Sequence, residues 1–236
     1  MKKFFATLIV TVTLVSCHDF DNQKRGNGNV TTDTREVTGN FSKIVVGQAI
    51  DVEIEQADSY SIEVETDSNL QNHIKTTVEN GVLKISSDAN IQDAEKLLVR
   101  IKMKQVTEIE TTSASSVQSV NLLKGKSLRI AASSSSDVEI EAEYETIHLE
   151  ATSTGEITIK GKTLKLETSA SSASEIDASD LLANEVFAQA TSASDTKVYA
   201  IVKLDAKAAS AGSITSVKKP KEVRKEETSG GEVSIE

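Results

Sequence analysis

The chain has 236 residues, a net charge of −10 and a single cysteine. One cysteine permits no internal disulfide and no cysteine-based zinc site, and an acidic chain without a concentrated basic face is not expected to bind nucleic acid. With five Phe, three Tyr and no Trp, the chain lacks the large side chains that fill most compact sandwich cores, which favours a narrow core of small aliphatic residues.

The segment 1–16 has the features of an export signal. Two lysines are followed by an apolar run, Phe4–Val15, which is too short to span a bilayer as a helix. The run ends in Leu14-Val15-Ser16-Cys17, which resembles a bacterial lipobox, so we predict lipidation of Cys17 and a membrane anchor there. The alternative is an ordinary secretory signal with a chance cysteine. Removing residues 1–16 deletes two lysines and no acid, so the net charge falls from −10 to −12.

The next two segments differ in their hydrophobic pattern. Residues 17–36 are polar and rich in Asn, Gly, Asp and Thr, so we expect a flexible tether. Residues 37–105 predict an N-terminal β segment, because apolar residues alternate from Ile44 to Ile54 and from Leu97 to Met103. Asn80-Gly81 lies between two more such runs and favours the type I′ turn of a hairpin.

Residues 106–236 repeat one pattern seven times. An apolar pair two residues apart is followed by a small polar corner and then by an apolar residue that opens the next strand. The predicted corners are Thr112–Ser115, Ser133–Ser136, Thr152–Gly155, Ser169–Ser172, Thr191–Ser194, Ala209–Gly212 and Thr228–Gly231. The apolar residues after them are Val117, Val138, Ile157, Ile176, Val198, Ile214 and Val233, whose sequence numbers differ in turn by 21, 19, 19, 22, 16 and 19.

A strand pattern with a period of about 19 residues predicts an all-β fold, a β-helix or solenoid of stacked rungs. We expect small residues at the corners because a sharp bend leaves little room inside, and hydroxyl groups there to bond the corner backbone. Disorder is the rival interpretation of Ser-rich segments, but the regular aliphatic residues disfavour it.

Whether residues 37–236 form one continuous domain stays open. The segment 218–225 contains lysines, one arginine and the only proline, and we interpret it as protection of an exposed end rung against edge-to-edge association. The alternative is a basic patch that binds a partner.

No arrangement of residues predicts catalysis. His18, His73 and His148 lack metal-ligand neighbours, and alternation directs His148 outward. Gly125-Lys126-Ser127 and Gly161-Lys162-Thr163 lack the earlier glycine of a phosphate-binding loop, so we interpret them as glycine turns between rungs. Few aromatic and arginine residues are available for a sugar-cleaving groove. We predict that the chain is not an enzyme.

Acidic residues recur at one position of the repeat. They are Asp137, Glu156, Glu175 and Glu232, with Asp195 nearby. Stacking would bring like charges about 5 Å apart, which is unfavourable unless they are solvated or bridged by cations. We expect solvated side chains and no bound metal or other cofactor. The alternative is a weak calcium ladder, although no calcium-loop motif supports it.

Three segments carry a resemblance to a known family: Phe41-Ser42-Lys43-Ile44-Val45-Val46, Ile50-Asp51-Val52-Glu53-Ile54 and Gly81-Val82-Leu83-Lys84-Ile85. With the lipobox and the Ser/Ala-rich repeats, residues 37–225 resemble a family of Bacteroidetes envelope proteins named putative auto-transporter adhesin, head GIN domain. The resemblance implies a β-helical fold and a cell-envelope location, and it supplies no catalytic residues.

The leading functional hypothesis is a non-catalytic, outer-membrane lipoprotein that binds a glycan or a protein through a regular β-helical face. The first alternative is a structural envelope component that associates with itself. The second is a polysaccharide lyase. Asp19 and Asp21, close to Cys17, resemble the acidic export signal of surface lipoproteins. The membrane face and the oligomeric state are left open.

Overall fold

The computed structural model describes residues 23–236. The predicted signal segment 1–16 and the lipidation site at Cys17 lie outside the described residues, as do His18, Asp19 and Asp21. Nineteen strands make up the described chain, with one short 3-10 helix at Gln71–His73. In chain order the strands are β1 Gln23–Arg25, β2 Val30–Arg35, β3 Lys43–Val46, β4 Asp51–Gln56, β5 Ser61–Asp67, β6 Ile74–Glu79, β7 Val82–Ser87, β8 Asn90–Asp93, β9 Leu97–Met103, β10 Glu108–Thr111, β11 Ser116–Ser119, β12 Leu123–Ser133, β13 Asp137–Thr152, β14 Glu156–Ala170, β15 Glu175–Ala190, β16 Asp195–Ala209, β17 Ser213–Ser216, β18 Glu222–Thr228 and β19 Glu232–Ile235.

The strands form a β-solenoid of about seven turns, which confirms the predicted fold class. Strands β13 to β16 each contain 15 or 16 residues and run along most of one turn. Each is paired in parallel with the strand of the next turn, so the backbone groups of one rung are bonded to the rungs above and below. Beyond the solenoid pairing, β1 and β8 form a separate two-stranded sheet.

The core follows from the alternation of apolar residues along each rung. In β13, Val138, Ile140 and Ala142 are buried before a bend at Glu145, and Ile147 and Leu149 are buried after it. The inward side chains of all rungs join in a single hydrophobic cluster that extends from Phe41 to Val233. This is the narrow aliphatic core that the composition predicted.

Each corner has two consecutive residues in the left-handed backbone region. Ser134 and Ser135 have φ values of 55° and 61°, and the same pair of positive φ angles recurs in every later corner. A non-glycine residue there costs about 1–2 kcal/mol. Hydrogen bonds between rungs offset this cost: the N–H of Ser135 donates to the carbonyl of Ser153 in the next corner, at 3.1 Å.

The residue that follows each of these left-handed pairs points into the interior, and this is the position where a small residue is required. Ser136 is buried, accepts from the N–H of Ser133 and donates to the carbonyl of Thr111. In other rungs glycine takes this place. A Cβ on Gly155 would lie under 3.0 Å from the Ala132 backbone. The two left-handed residues themselves are exposed, so the prediction that the corner hydroxyls bond the backbone holds chiefly for the buried serine.

Two details of the predicted alignment are wrong. The fourth corner is centred on Ser172 and Ala173 and therefore lies two residues later than predicted. Ile176 is paired with Thr196, so Thr196 and not Val198 opens the fifth repeat. Both errors are slips of two residues, which leave every side chain on its predicted face of the strand. With Thr196 in place of Val198, the sequence numbers differ in turn by 21, 19, 19, 20, 18 and 19.

The solenoid begins before residue 106. Strand β3 is paired in parallel with β10, and β4 with β11. Gln48 and Ala49 have positive φ angles and form an eighth corner, in which the Ala49 N–H donates to the Ser113 carbonyl. The sheet therefore continues across the predicted boundary between residues 37–105 and 106–236. The predicted hairpin is present as antiparallel β6 and β7, with Asn80 and Gly81 both at positive φ.

The prediction of a flexible tether over residues 17–36 is wrong for residues 23–35, which contain β1 and β2. Strand β2 is antiparallel to β5. The buried carboxylate of Asp67 accepts hydrogen bonds from the N–H groups of Gly28 and Glu95 and fastens the β1–β2 connection. Strands β1 and β2 are held by backbone hydrogen bonds and by one buried acid. Their sequence therefore lacks the alternating apolar residues from which a strand can be predicted.

Charged residues close the core at the last rung. Val223, Lys225 and Glu227 are paired with the buried residues Leu204, Ala206 and Ala208, so they occupy inward positions. The Lys225 ammonium donates to the Val233 carbonyl, and the Glu227 carboxylate accepts from the Val233 N–H. Inward charges on an end strand oppose edge-to-edge pairing. We call Lys225 and Glu227 the polar cap.

Candidate binding groove at the edge opposite the corners

Three adjoining depressions lie near the edge of the solenoid opposite the Ser-rich corners, where the rungs bend a second time. Their volumes are about 530, 500 and 410 Å³. The first two share Lys124, Gly125 and Tyr144, and the last two share Lys104 and Gln105. We refer to the three together as the edge groove. It passes from the loop at Lys104 to Ile201 in β16, five rung spacings or about 24 Å.

Tyr144 forms the floor where the two larger depressions meet. Its ring is buried and its hydroxyl donates to the Val106 carbonyl at 2.8 Å, which ties β13 to the loop before β10. Burial raises the pKa of the Tyr144 phenol, so the group remains a neutral donor. Gly125 makes room for the ring, because a Cβ there would lie 2.5 Å from a ring carbon.

Gln56 holds two of the lysine-bearing segments in place. Its side-chain amide donates to the carbonyls of Lys104 and Lys124, at 3.1 and 3.0 Å, and its amide oxygen accepts from the Lys124 N–H. Its backbone N–H and carbonyl are bonded in turn to the side chain of Asn121. One glutamine thereby sets the relative position of the loop at Lys104 and the start of β12, which are both distant from it in sequence.

Lysines dominate the charge of the groove. The five that line it are Lys43, Lys104, Lys124, Lys126 and Lys162, against three acids, Glu108, Glu143 and Glu145. Lys43 forms an ion pair with Glu108 at 2.7 Å, and Lys124 with Glu143 at 3.4 Å. The remaining three lysines form no ion pair with any acid of the described chain. The edge groove as a whole therefore has an excess of positive charge, although the protein is strongly negative in total.

The far end of the groove is apolar. Leu164 and Leu182 have 57% and 37% of their surface exposed, although most residues of this size are buried in the core. With the half-buried Ile201 they line the depression next to Lys162 and Asn184. An exposed group of aliphatic side chains beside polar ones is typical of a ligand-binding surface.

The acidic ladder lies on a different face. The register aligns Asp137, Glu156, Glu175 and Asp195 on successive rungs, then Ser213 and Glu232. Burial and the neighbouring Glu139 raise the pKa of Asp137. Burial, then Asp137 and Glu175, raise the pKa of Glu156. Lys197 bridges the ladder at Glu175, with 3.3 Å between Nζ and Oε1. Within residues 23–236, no three His, Cys, Asp or Glu side chains are grouped so that they could hold a metal ion.

Replacing Glu156 with glutamine is expected to stabilise the fold near pH 7 by about 0.2–1 kcal/mol, because it removes a partly desolvated charge and its repulsion from two stacked carboxylates. The folded pKa of Glu156 lies above its ordinary value of 4.5. The repulsion is therefore absent below that value and develops as the pH rises through the raised pKa. Urea unfolding at pH 7 and pH 4 should show the gain only at pH 7.

Glu110→Gln is the matched control for Glu156→Gln. Glu110 is exposed and its register partners, Val45 and Ala131, are uncharged. An equal gain for both variants would show that the stacked charges are not its cause.

The sequence-predicted candidates are not brought together at the groove. His73 pairs with Asp88 at 2.7 Å, and His148 points outward beside Glu167, as predicted. Gly125 and Gly161 lie inside strands β12 and β14, so their interpretation as turns between rungs is wrong. The sequence did not reveal Gln56 or Tyr144, since both act through contacts that span 38 to 68 residues. Within the described chain, no helix is both long and apolar enough to cross a membrane.

Several crystal structures share this fold. A putative adhesin from Bacteroides fragilis superimposes with a TM-score of 0.82 at 18% identity, over 90% of this chain and 100% of that one. A putative adhesin from Parabacteroides merdae gives 0.75 at 20% identity, over 91% and 99%. A putative lipid binding protein from Parabacteroides distasonis gives 0.73 at 23% identity, over 91% and 100%. At these identities the likeness establishes the fold.

The sequence comparison points to the same group. Residues 40–220 match the family described as putative auto-transporter adhesin, head GIN domain. None of the curated proteins matches the chain.

Proposed function

Because the chain belongs to the family described as putative auto-transporter adhesin, head GIN domain, we propose that it is a non-catalytic cell-envelope lipoprotein that binds a glycan through the edge groove. Cys17 carries the lipid anchor in this proposal. The residues after it lead to a solenoid whose groove is available to a ligand. The adhesin description of the family favours a role in binding at the envelope over a role in catalysis.

The observation that carries the proposal is the groove itself. It combines a floor fixed by Tyr144, loops fixed by Gln56, unpaired lysines and an exposed apolar wall. Sites for small molecules and sugars have this mixture of apolar surface and a few oriented polar groups. The groove is preformed, so less ordering free energy is lost on binding.

Self-association is the first alternative, and the polar cap disfavours it at the C-terminal rung. An end rung that joined a second copy would gain from apolar inward residues, whereas this one has Lys225 and Glu227 there.

Polysaccharide cleavage is the second alternative. It needs an acid or base whose pKa is tuned by burial, but Glu143 and Glu145 are exposed at the groove rim. The hydrogen bond from Lys43 lowers the pKa of the third acid of the groove, Glu108, which opposes a role as a general acid. Glu143 is in addition paired with Lys124.

Anchoring and binding are tested with the full chain and its Cys17→Ser variant. In cells supplied with a palmitate analogue, the full chain should be labelled and should sediment with the envelope. The variant should remain unlabelled and soluble. Labelling of the variant would contradict anchoring at Cys17.

The soluble Cys17→Ser protein then serves for a glycan array. We expect it to bind a defined subset of glycans. Adding Asn184→Trp should weaken this binding at least tenfold, because the indole would fill the groove. Gln189→Trp, an exposed position on the same strand outside the groove, should leave it unchanged. Absence of any glycan binding, or equal binding by both variants, would overturn the proposal.

A further inference from the structure

We infer that the ligand of the edge groove is an anionic polysaccharide, one whose sugar units carry carboxylate or sulfate groups. The inference rests on the proposed glycan-binding function and adds the chemical class of the ligand. Three observations support this inference. The groove is a concave surface with unpaired ammonium groups, two of its lysines have a fixed spacing along the rungs, and the neighbouring face is negatively charged.

Three lysines of the groove have no acidic partner. Lys104, Lys126 and Lys162 are exposed and form no ion pair within the described chain, although acids outnumber bases in the sequence by 36 to 26. Lys104 lies 5.9 Å from the centre of the Tyr60 ring, which orients its ammonium group without neutralising it. Elsewhere in the described chain 8 of 14 lysines form ion pairs with acids, among them Lys75, Lys102 and Lys207. The groove therefore retains free positive charge that an anion can neutralise.

The rungs fix the spacing between the backbone positions of two lysines in the groove. Lys124 is paired with Glu143 in the next rung, and Glu143 with Lys162 in the rung after that. Lys124 and Lys162 are therefore two rung spacings apart, about 9.6 Å. This is close to the length of one disaccharide in an extended chain, so alternate sugars of an anionic polysaccharide would reach both lysines, with a carboxylate or sulfate group of the ligand replacing Glu143 as the partner of Lys124.

The apolar wall suits the other face of such a chain. Leu164 and Leu182 present aliphatic surface next to Lys162. A sugar ring has apolar C–H faces as well as polar edges, and it can pack on this surface while its charged group faces the lysine. Burial of apolar surface would then add to the ionic contacts, which are weak individually when exposed.

The acidic face restricts an anionic chain to the groove. Asp137, Glu156 and Glu175 repel anions from the first half of each rung. A polyanion approaching this protein therefore meets repulsion over that face and attraction along one edge. This difference in charge gives the groove selectivity for orientation as well as for ligand class.

The test uses the soluble Cys17→Ser chain in calorimetric titrations with three polymers: polygalacturonate, dextran sulfate and neutral dextran. The first two separate carboxylate from sulfate recognition. We expect binding to at least one anionic polymer and none to dextran, with weaker binding at 0.5 M salt. The combined variant Lys104→Gln, Lys126→Gln and Lys162→Gln should bind roughly tenfold less tightly or worse. The charge-matched control Lys75→Gln, Lys84→Gln and Lys207→Gln lies outside the groove and should retain the affinity.

The outcomes separate this inference from the function on which it rests. If a neutral glycan binds in the groove and the lysine variant keeps full affinity, the inference fails and glycan binding stands. If no polymer or arrayed glycan binds, both fail. Equal losses in the two triple variants would mean a general charge effect and would overturn the inference. Thermal melting of each variant verifies that the fold is retained. Release of unsaturated sugar products would overturn the non-catalytic function.

Discussion

Gly161→Ala is expected to destabilise the solenoid by about 3 kcal/mol or more. Gly161 lies within β14 at a φ of 125°, in a backbone region that residues with a side chain rarely adopt. A Cβ there would lie well under 3.0 Å from the carbonyl oxygen of Ala142, in the adjacent rung. Neither rung can move away without breaking its hydrogen bonds to the neighbouring rungs, so strain and overlap add. Urea unfolding monitored by circular dichroism measures the loss.

The matched control is Gly39→Ala. Gly39 has nearly the same φ, 124°, but a Cβ there would have no atom within 4 Å. We expect a loss of about 1–2 kcal/mol from backbone strain alone. The difference between the two variants isolates the effect of rung stacking. Equal losses would show that the close packing of adjacent rungs is not what the glycine accommodates.

Replacing the polar cap with apolar residues is expected to make the chain self-associate. The double variant Lys225→Val and Glu227→Leu continues the apolar interior to the last rung and removes both hydrogen bonds to Val233. The end would then present an apolar surface beside the edge of β18, whose strand partner in the described chain is β16. Sedimentation velocity of the Cys17→Ser form should show a concentration-dependent increase in mass relative to the unmodified cap.

Arg224→Val with Glu226→Leu is the corresponding control. These residues alternate with the cap along β18 and point outward, where they pair with Asp205 and Lys207. The change in charge and hydrophobicity is similar, but the interior is untouched, so this variant should associate less. If both variants sediment like the parent, or if the control associates equally, the inward charges are not what blocks stacking.

The groove shows why a binding site in a solenoid is hard to find from sequence. The similar segments Lys124-Gly125-Lys126 and Lys160-Gly161-Lys162 can be aligned in the sequence, but this alignment does not give their relative position in the fold. The register places Lys124 in line with Lys162, whereas Gly125 aligns with Tyr144 and Gly161 with Ala142. The two motifs are therefore offset by two residues in space. The alignment of Lys124 with Lys162 depends on this offset, which the number of residues between the motifs does not reveal.

Much of the architecture was determined by the sequence alone. Alternating aliphatic residues separated by small polar corners about every 19 residues require strands, and strands with so little apolar surface must stack to bury it. The type I′ hairpin at Asn80-Gly81 was equally local, because the positive φ angles of such a turn are a property of those two residues.

Only the tertiary structure decided the register, the attachment of β1 and β2, and the position of the groove. A period-two pattern is unchanged by a shift of two residues, so the sequence cannot distinguish Thr196 from Val198 as the start of a rung. Strand β2 pairs through backbone groups, and Gln56 and Asp67 act on loops far away in the chain. These features arise from contacts across stacked rungs, and such contacts exist only once the chain has folded.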